Sequence, residues 1–157
     1  MKNNKTYGFT LLELVIVLGV MVVVSSAVVV GINQNSRRHL NNASLALQAD
    51  LRYAQRRAIA EGRRFTVAFE PRQNRYHIMK ENHGSNMTII RTIYFENGAQ
   101  LVETSHPTLS FLPRGTASSG FRINLRNGGY WQRTTATVSG GRIRVFDITT
   151  INVPGYD

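Results

Sequence analysis

Three hydropathy patterns succeed one another along the chain. From Phe9 to Ile32 almost every residue is apolar, and Glu13 is the only charged one. At about 1.5 Å per residue, a helix of that length crosses a hydrocarbon layer of roughly 30 Å. Past Ile32, Leu40, Ala43, Leu47, Leu51, Ala54 and Ala58 recur at steps of three or four, one stripe along an amphipathic helix that Gly62 stops. Arg37, Arg38, Arg52, Arg56, Arg57, Arg63 and Arg64 lie mostly off that stripe, on a solvated or packing face. The remainder reads as short strands. Phe65 to Phe69 and Tyr76 to Met79 flank the turn Pro71-Arg72-Gln73-Asn74, and Ile89 to Phe95 ends at Asn97-Gly98. Leu101-Val102, Leu109 to Leu112, Phe121 to Leu125, Thr135 to Val138 and Ile143 to Ile148 follow, separated by turn residues. The pattern predicts an α+β protein: an apolar helix over 9–32, an amphipathic helix over 33–62, and a β-rich domain over 63–157.

Composition sharpens this picture in two ways. There is no cysteine, so no disulfide contributes. The chain carries 19 basic against 9 acidic residues, a net charge of +10, and only Lys2, Lys5 and Lys80 are lysines. An arginine excess of this size points to a polyanion or a membrane surface, since the guanidinium fork pairs two-pronged with phosphate. A basic surface serving only solubility has the same composition.

Within the apolar run Glu13 stands out. A carboxylate at the centre of a membrane helix costs roughly 2.5–3.5 kcal/mol on insertion scales, and such residues are usually functional. Glu13 lies near one end, where the cost is smaller. A cleaved secretory signal fits poorly, because the run is too long and no small-x-small site precedes the polar stretch Asn33 to Arg38. Lys2 and Lys5 on one side and Arg37 and Arg38 on the other leave the orientation open.

A short basic leader, then Gly8-Phe9-Thr10-Leu11-Leu12-Glu13, then an apolar helix, resembles the class III signal of type IV pilins and pseudopilins. The resemblance implies a pilin fold and cleavage by prepilin peptidase between Gly8 and Phe9. Residues 1–8 would then be a leader and Phe9 the N-methylated first residue. Glu13 would meet the terminal amine of a neighbouring subunit in the filament, and a buried carboxylate is tolerated when paired. It also resolves the orientation: a single-pass protein of the bacterial inner membrane, its domain outside the cytoplasm, assembled into an extracytoplasmic filament with other pilins or pseudopilins. Ser26 to Ile32 lacks the proline usual in major pilins, which favours a minor pilin or pseudopilin. Downstream, Ala-x-x-Glu-Gly-Arg at 58–63, Leu-Ser-Phe-Leu-Pro-Arg-Gly at 109–115 and Val-Ser-Gly-Gly-Arg-Ile-Arg-Val at 138–145 resemble the GspH/FimT group.

Strand alternation supplies a candidate site. Arg142 and Arg144 share one side of their strand, as do Arg122 and Arg126 of theirs, and Tyr130, Trp131 and Arg133 stand near the glycine turns at 128–129 and 140–141. Were these strands to share a sheet, the guanidiniums would form one positive field. Arginines among aromatics suit a polyanion bound without sequence preference. A solvated sheet face carries the same pattern. Gly141-Arg142-Ile143-Arg144 also matches the G-R-x-R motif of FimT-type minor pilins, and that likeness implies double-stranded DNA as partner and Arg142 and Arg144 as leading contacts.

Enzymatic readings find little support. His39, His77, His83 and His106 have no metal-ligand spacing, acidic residues are scattered, and the segment 115–120 lacks a phosphate-loop lysine. No cofactor or metal is expected. Three functions remain: a DNA-binding minor pilin for uptake in natural transformation, a structural H-type pseudopilin of type II secretion that touches no nucleic acid, or adhesion to acidic surface polymers through the same basic face.

Overall fold

The computed structural model describes residues 10–82, 84, 86–138 and 142–148, with the side chains of 26–34, 147 and 148 excepted. The chain divides between Asn35 and Ser36 into two compact units. Helix α1 is assigned over Leu11–Glu61.

In the first unit the local chemistry of Thr10-Leu11-Leu12-Glu13 starts the helix. The Glu13 backbone N–H donates to Thr10 Oγ1 at 3.3 Å, which satisfies one of the orphan donors of the first turn. Glu13 also sits where the helix dipole favours negative charge. The apolar residues from Leu11 to Val24 are exposed. Ser25, a polar interruption, returns its hydroxyl to the Met21 carbonyl at 2.7 Å. Among the described residues no helix is long and apolar enough to cross a membrane. The run read from sequence continues through 26–34, beyond the described side chains.

In the second unit α1 buries Leu40, Ser44, Leu47, Leu51, Ala54 and Ala58. The stripe thus runs through Ser44, and Ala43 is only half-buried. The helix ends on Gly62 at φ +61°, with the Arg63 N–H closing back to the Ala58 carbonyl at 3.2 Å. That six-to-one bond and left-handed glycine are the Schellman stop, a conformation that a Cβ disfavours.

Among the described residues eight antiparallel strands follow: β1 (Phe65–Glu70), β2 (Arg75–Glu81), β3 (Met87–Tyr94), β4 (Gln100–Thr104), β5 (Thr108–Phe111), β6 (Phe121–Asn127), β7 (Tyr130–Ala136) and β8 (Ile143–Ile148). They form two four-stranded sheets, ordered β3-β2-β1-β5 and β4-β6-β7-β8. One core cluster joins the α1 stripe to the inner faces of both. Phe65, Val67, Tyr76, Ile78, Leu109 and Phe111 come from the first sheet, and Leu101, Phe121, Ile123, Leu125, Ala136 and Ile143 from the second. Phe69 and Phe121 stack across the sheets at 5.1 Å. Polar ties accompany the packing: Gln48 Nε2 donates to the Ile143 carbonyl at 3.2 Å, Gln55 Nε2 to the Gly115 carbonyl at 2.7 Å, and Tyr76 Oη to Asp50 Oδ2 at 2.7 Å. Burial pushes the Tyr76 hydroxyl well above its ordinary pKa, and its bond to Asp50 adds to the shift.

One element differs from the sequence reading. The strand expected over Thr135 to Val138 is β7, which starts at Tyr130 and stops at Ala136. The Gly128-Gly129 loop turns the chain in two residues, with Gly128 at φ +58°, so pairing with β6 resumes at once, Asn127 against Tyr130. Val138 lies in the following turn, exposed. His83, Gly140 and Gly141 lie outside the described residues.

The seam between α1 and the sheets should be sensitive to lost volume. Leu47 is fully buried. Leu47→Ala is expected to lower unfolding stability by about 2–5 kcal/mol in urea titrations of the full chain in detergent micelles. An unchanged midpoint would mean the stripe is not the principal seam.

Candidate nucleic-acid interface

The site is built by register. β6 pairs with β7 and β7 with β8, so residues of one parity line up in rows across three strands. Arg122 faces Thr135, which faces Arg144; Asn124 faces Arg133, which faces Phe146; Arg126 faces Trp131, which faces Ile148. Phe121, Ile123 and Leu125 take the opposite parity and are buried in the core, which turns the arginine rows outward. Arg122 and Arg144 are exposed, while Arg126, Trp131 and Arg133 are half-buried. At about 4.8 Å between neighbouring strands, the Arg122 and Arg144 backbones stand roughly 10 Å apart.

The structure therefore gathers Arg122, Arg126, Arg133 and Arg144 on one outer face. Arg142 lies one residue ahead of β8 and is exposed; its carbonyl accepts the Thr137 N–H at 3.1 Å, fixing the base of that turn. Gly141 lies outside the described residues, as do Gly8 and Phe9, and Glu13 belongs to the other unit. Tyr130 has the inward parity and packs against the core, whereas Trp131 joins the arginine face. Phe146, exposed on the same face, went unread in the sequence. Its signal is the parity it shares with Arg144, which acquires meaning only once β8 is known to border β7.

Two side chains on this face are held in place. The Arg126 guanidinium lies over the Trp131 ring at 5.6 Å. Arg133 Nε donates to Asn124 Oδ1 at 2.9 Å, and Asn124 Nδ2 donates to Glu103 Oε2 at 3.0 Å. Among the described residues no ion pair involves Arg122, Arg126, Arg133, Arg142 or Arg144. The paired carboxylates stand elsewhere. Asp50 meets Arg91, Glu61 meets Arg57 and Lys80, Glu70 meets Arg75, and Glu81 meets Arg64. Hydrogen bonds from Arg75 to Glu70 and from Lys80 to Glu61 hold both carboxyls below their usual range. Among the described residues no group of His, Asp or Glu is placed to hold a metal ion. The arrangement is thus a cationic, aromatic-bearing sheet face whose charges have no carboxylate ion-pair partners among the described residues.

Residues 43–145 match the family described as type II transport protein GspH. The chain belongs to the GspH family. Residues 3–29 match the prokaryotic N-terminal methylation motif, which includes Gly8, Phe9 and Glu13. No curated protein matches the sequence. Among solved structures, the chain is similar to the minor pseudopilin EpsH from the type 2 secretion system of Vibrio cholerae, with 17% identity and TM-score 0.61, over 69% of this chain and 97% of that one. It is equally similar to the type IV minor pilin FimU of Pseudomonas aeruginosa, with 16% identity and TM-score 0.60, over 74% and 97%. At these identities the likeness concerns the fold, an N-terminal helix packed on an antiparallel β domain. This GspH-family chain thus has the fold that the minor pseudopilin and the minor pilin share.

The chain has a single tryptophan, so the stack over it is directly observable. Arg126→Ala is expected to raise acrylamide quenching of Trp131 fluorescence and to cost about 0.5–1 kcal/mol of stability. Unaltered quenching would show that the guanidinium does not cover the ring.

Proposed function

We propose that this GspH-family subunit is a minor pilin that binds double-stranded DNA through its outer β6-β7-β8 face, without sequence preference, in DNA uptake for natural transformation. The observation that carries the reading is the gathering of Arg122, Arg126, Arg133 and Arg144 beside Trp131 and Phe146, with no carboxylate paired to any of these arginines among the described residues. Guanidiniums on a rigid sheet take phosphate oxygens and release counterions, and such contacts do not distinguish sequence. Arg142 and Gly141 extend the face at the turn before β8. The reading is of a non-catalytic subunit without cofactor.

Assembly follows the motif at the other end. In this reading prepilin peptidase cleaves between Gly8 and Phe9 and Phe9 is methylated. The apolar helix then anchors the subunit in the inner membrane before the filament forms, and Glu13 pairs with a neighbour's terminal amine. The Thr10 cap holds the Glu13 backbone N–H at the start of the helix. A second reading, a structural pseudopilin of type II secretion, is favoured by the family match and by the likeness to EpsH. It treats the arginine face as solvated surface.

DNA binding separates the two. The full chain in detergent micelles is expected to shift a mixed-sequence duplex. Arg142→Ala/Arg144→Ala should weaken it on the order of tenfold and reduce the slope of log affinity against log salt by about two. Equal binding by both proteins would remove these arginines from the site, and no binding by the wild type would leave the secretion reading. For assembly, Glu13→Ala should leave leader cleavage intact on immunoblots but deplete the subunit from sheared filaments. Normal incorporation of that variant would refute the pairing role.

A further inference from the structure

A second cationic feature adjoins the β6-β7-β8 face. A cleft of about 450 Å³ is lined by Pro71, Arg72, Asn74, Gln100, Leu101, Val102 and Arg126. It lies where the β1-β2 turn of one sheet meets β4, the edge strand of the other. Its walls are fixed by one residue. Asn74, at φ 51°, donates through Nδ2 to the carbonyls of Phe95 at 3.0 Å and Ala99 at 2.9 Å. Its Oδ1 accepts the Leu101 N–H at 2.8 Å, so both amide donors and the amide oxygen clamp the turn to the start of β4. Such a wall is preformed and need not be ordered by a ligand.

Arg126 belongs to both features. It stacks on Trp131 of the outer face and also lines the cleft. The row that holds it runs from Ile148 through Trp131 and Arg126 to Gln100, and Gln100 lines the cleft as well. Arg72 stands on the far wall, exposed. No ion pair or hydrogen bond occupies the Arg72 or Arg126 guanidinium among the described residues, and no carboxylate lines the cleft. Two arginines and a neutral amide around a preformed, acid-free cleft make a site for a phosphodiester oxygen, with donors and no competing acceptor charge.

We infer that the DNA backbone leaves the β6-β7-β8 face over the β4 edge and that one of its phosphates is held in this cleft between Arg72 and Arg126. The inference rests on the DNA-binding reading above and adds to it a direction of travel and a new contact, Arg72. No short motif surrounds Arg72 in the sequence; only the packing of the β1-β2 turn against β4 brings it to the end of the arginine rows.

The test is DNA binding by the full chain in detergent micelles as a function of salt, with Arg72→Ala, Arg72→Lys and Arg56→Ala beside the wild type and Arg142→Ala/Arg144→Ala. Arg56, exposed on α1, controls for the loss of one positive charge. Arg72→Ala is expected to weaken binding several-fold and to lower the salt slope by about one, with Arg72→Lys restoring the slope and Arg56→Ala leaving both near wild type. The cleft is excluded if Arg72→Ala binds like the wild type while Arg142→Ala/Arg144→Ala is weakened, and the face itself survives that result. Equal losses in Arg72→Ala and Arg56→Ala would reduce the effect to bulk charge and also overturn the inference. If neither Arg72→Ala nor Arg142→Ala/Arg144→Ala is weakened, the DNA-binding reading falls together with the cleft.

Discussion

Burial of the α1 stripe against the two sheets determines where every other side chain of the second unit points. Leu47, Leu51, Ala54 and Ala58 are covered by residues such as Phe65, Ile123 and Leu125. Once these are inside, strand geometry leaves no choice for their neighbours. Phe121, Ile123 and Leu125 face the helix, so Arg122 and Arg126 face away from it. A slip of one residue in β6 would exchange the two sets. Arginines would then enter the core without partners, at a cost far above the loss of a few apolar contacts. The same burial that stabilises the domain therefore specifies the cationic face.

Charge is distributed unevenly over this frame. Carboxylates that are neutralised by ion pairs sit on the helix and on the β3-β2-β1-β5 sheet, at Asp50, Glu61, Glu70 and Glu81. On the other sheet Glu103 contacts Asn124, and Asn124 in turn orients Arg133. Of the net charge of +10, Arg122, Arg126, Arg133 and Arg144 share one face. Exposed pairs on the first sheet contribute little stability individually. Among the described residues no ion pair ties a carboxylate to the arginines of the second sheet, which leaves those guanidiniums open to phosphate.

Much of the architecture was legible in residue order. The change of period from three-to-four to two at Gly62 separates helix from strands, and Pro71 to Asn74 and Gly128-Gly129 mark turns. The start of β7 is not legible locally, because Tyr130 and Trp131 read as turn flanks. Only the two-residue glycine loop, which re-pairs the chain immediately, makes them strand residues. Hydropathy places Ala43 in the stripe, whereas the helix geometry buries Ser44.

Local order determined the N-terminal motif, whose Thr10 cap and Glu13 position depend on residues within one turn. It determined the parity of the arginines on each strand for the same reason, since the side-chain period is a property of the backbone. Which strands are neighbours is not a local property. Sequence could pair Arg122 with Arg126 and Arg142 with Arg144, but only the order β4-β6-β7-β8 brings the two pairs together on one face with Trp131 and Phe146. Arg72 reaches that surface through contacts between two sheets, held by the Asn74 clamp 21 to 27 residues from its partners. Long-range packing, driven by burial of the α1 stripe, decided that assembly.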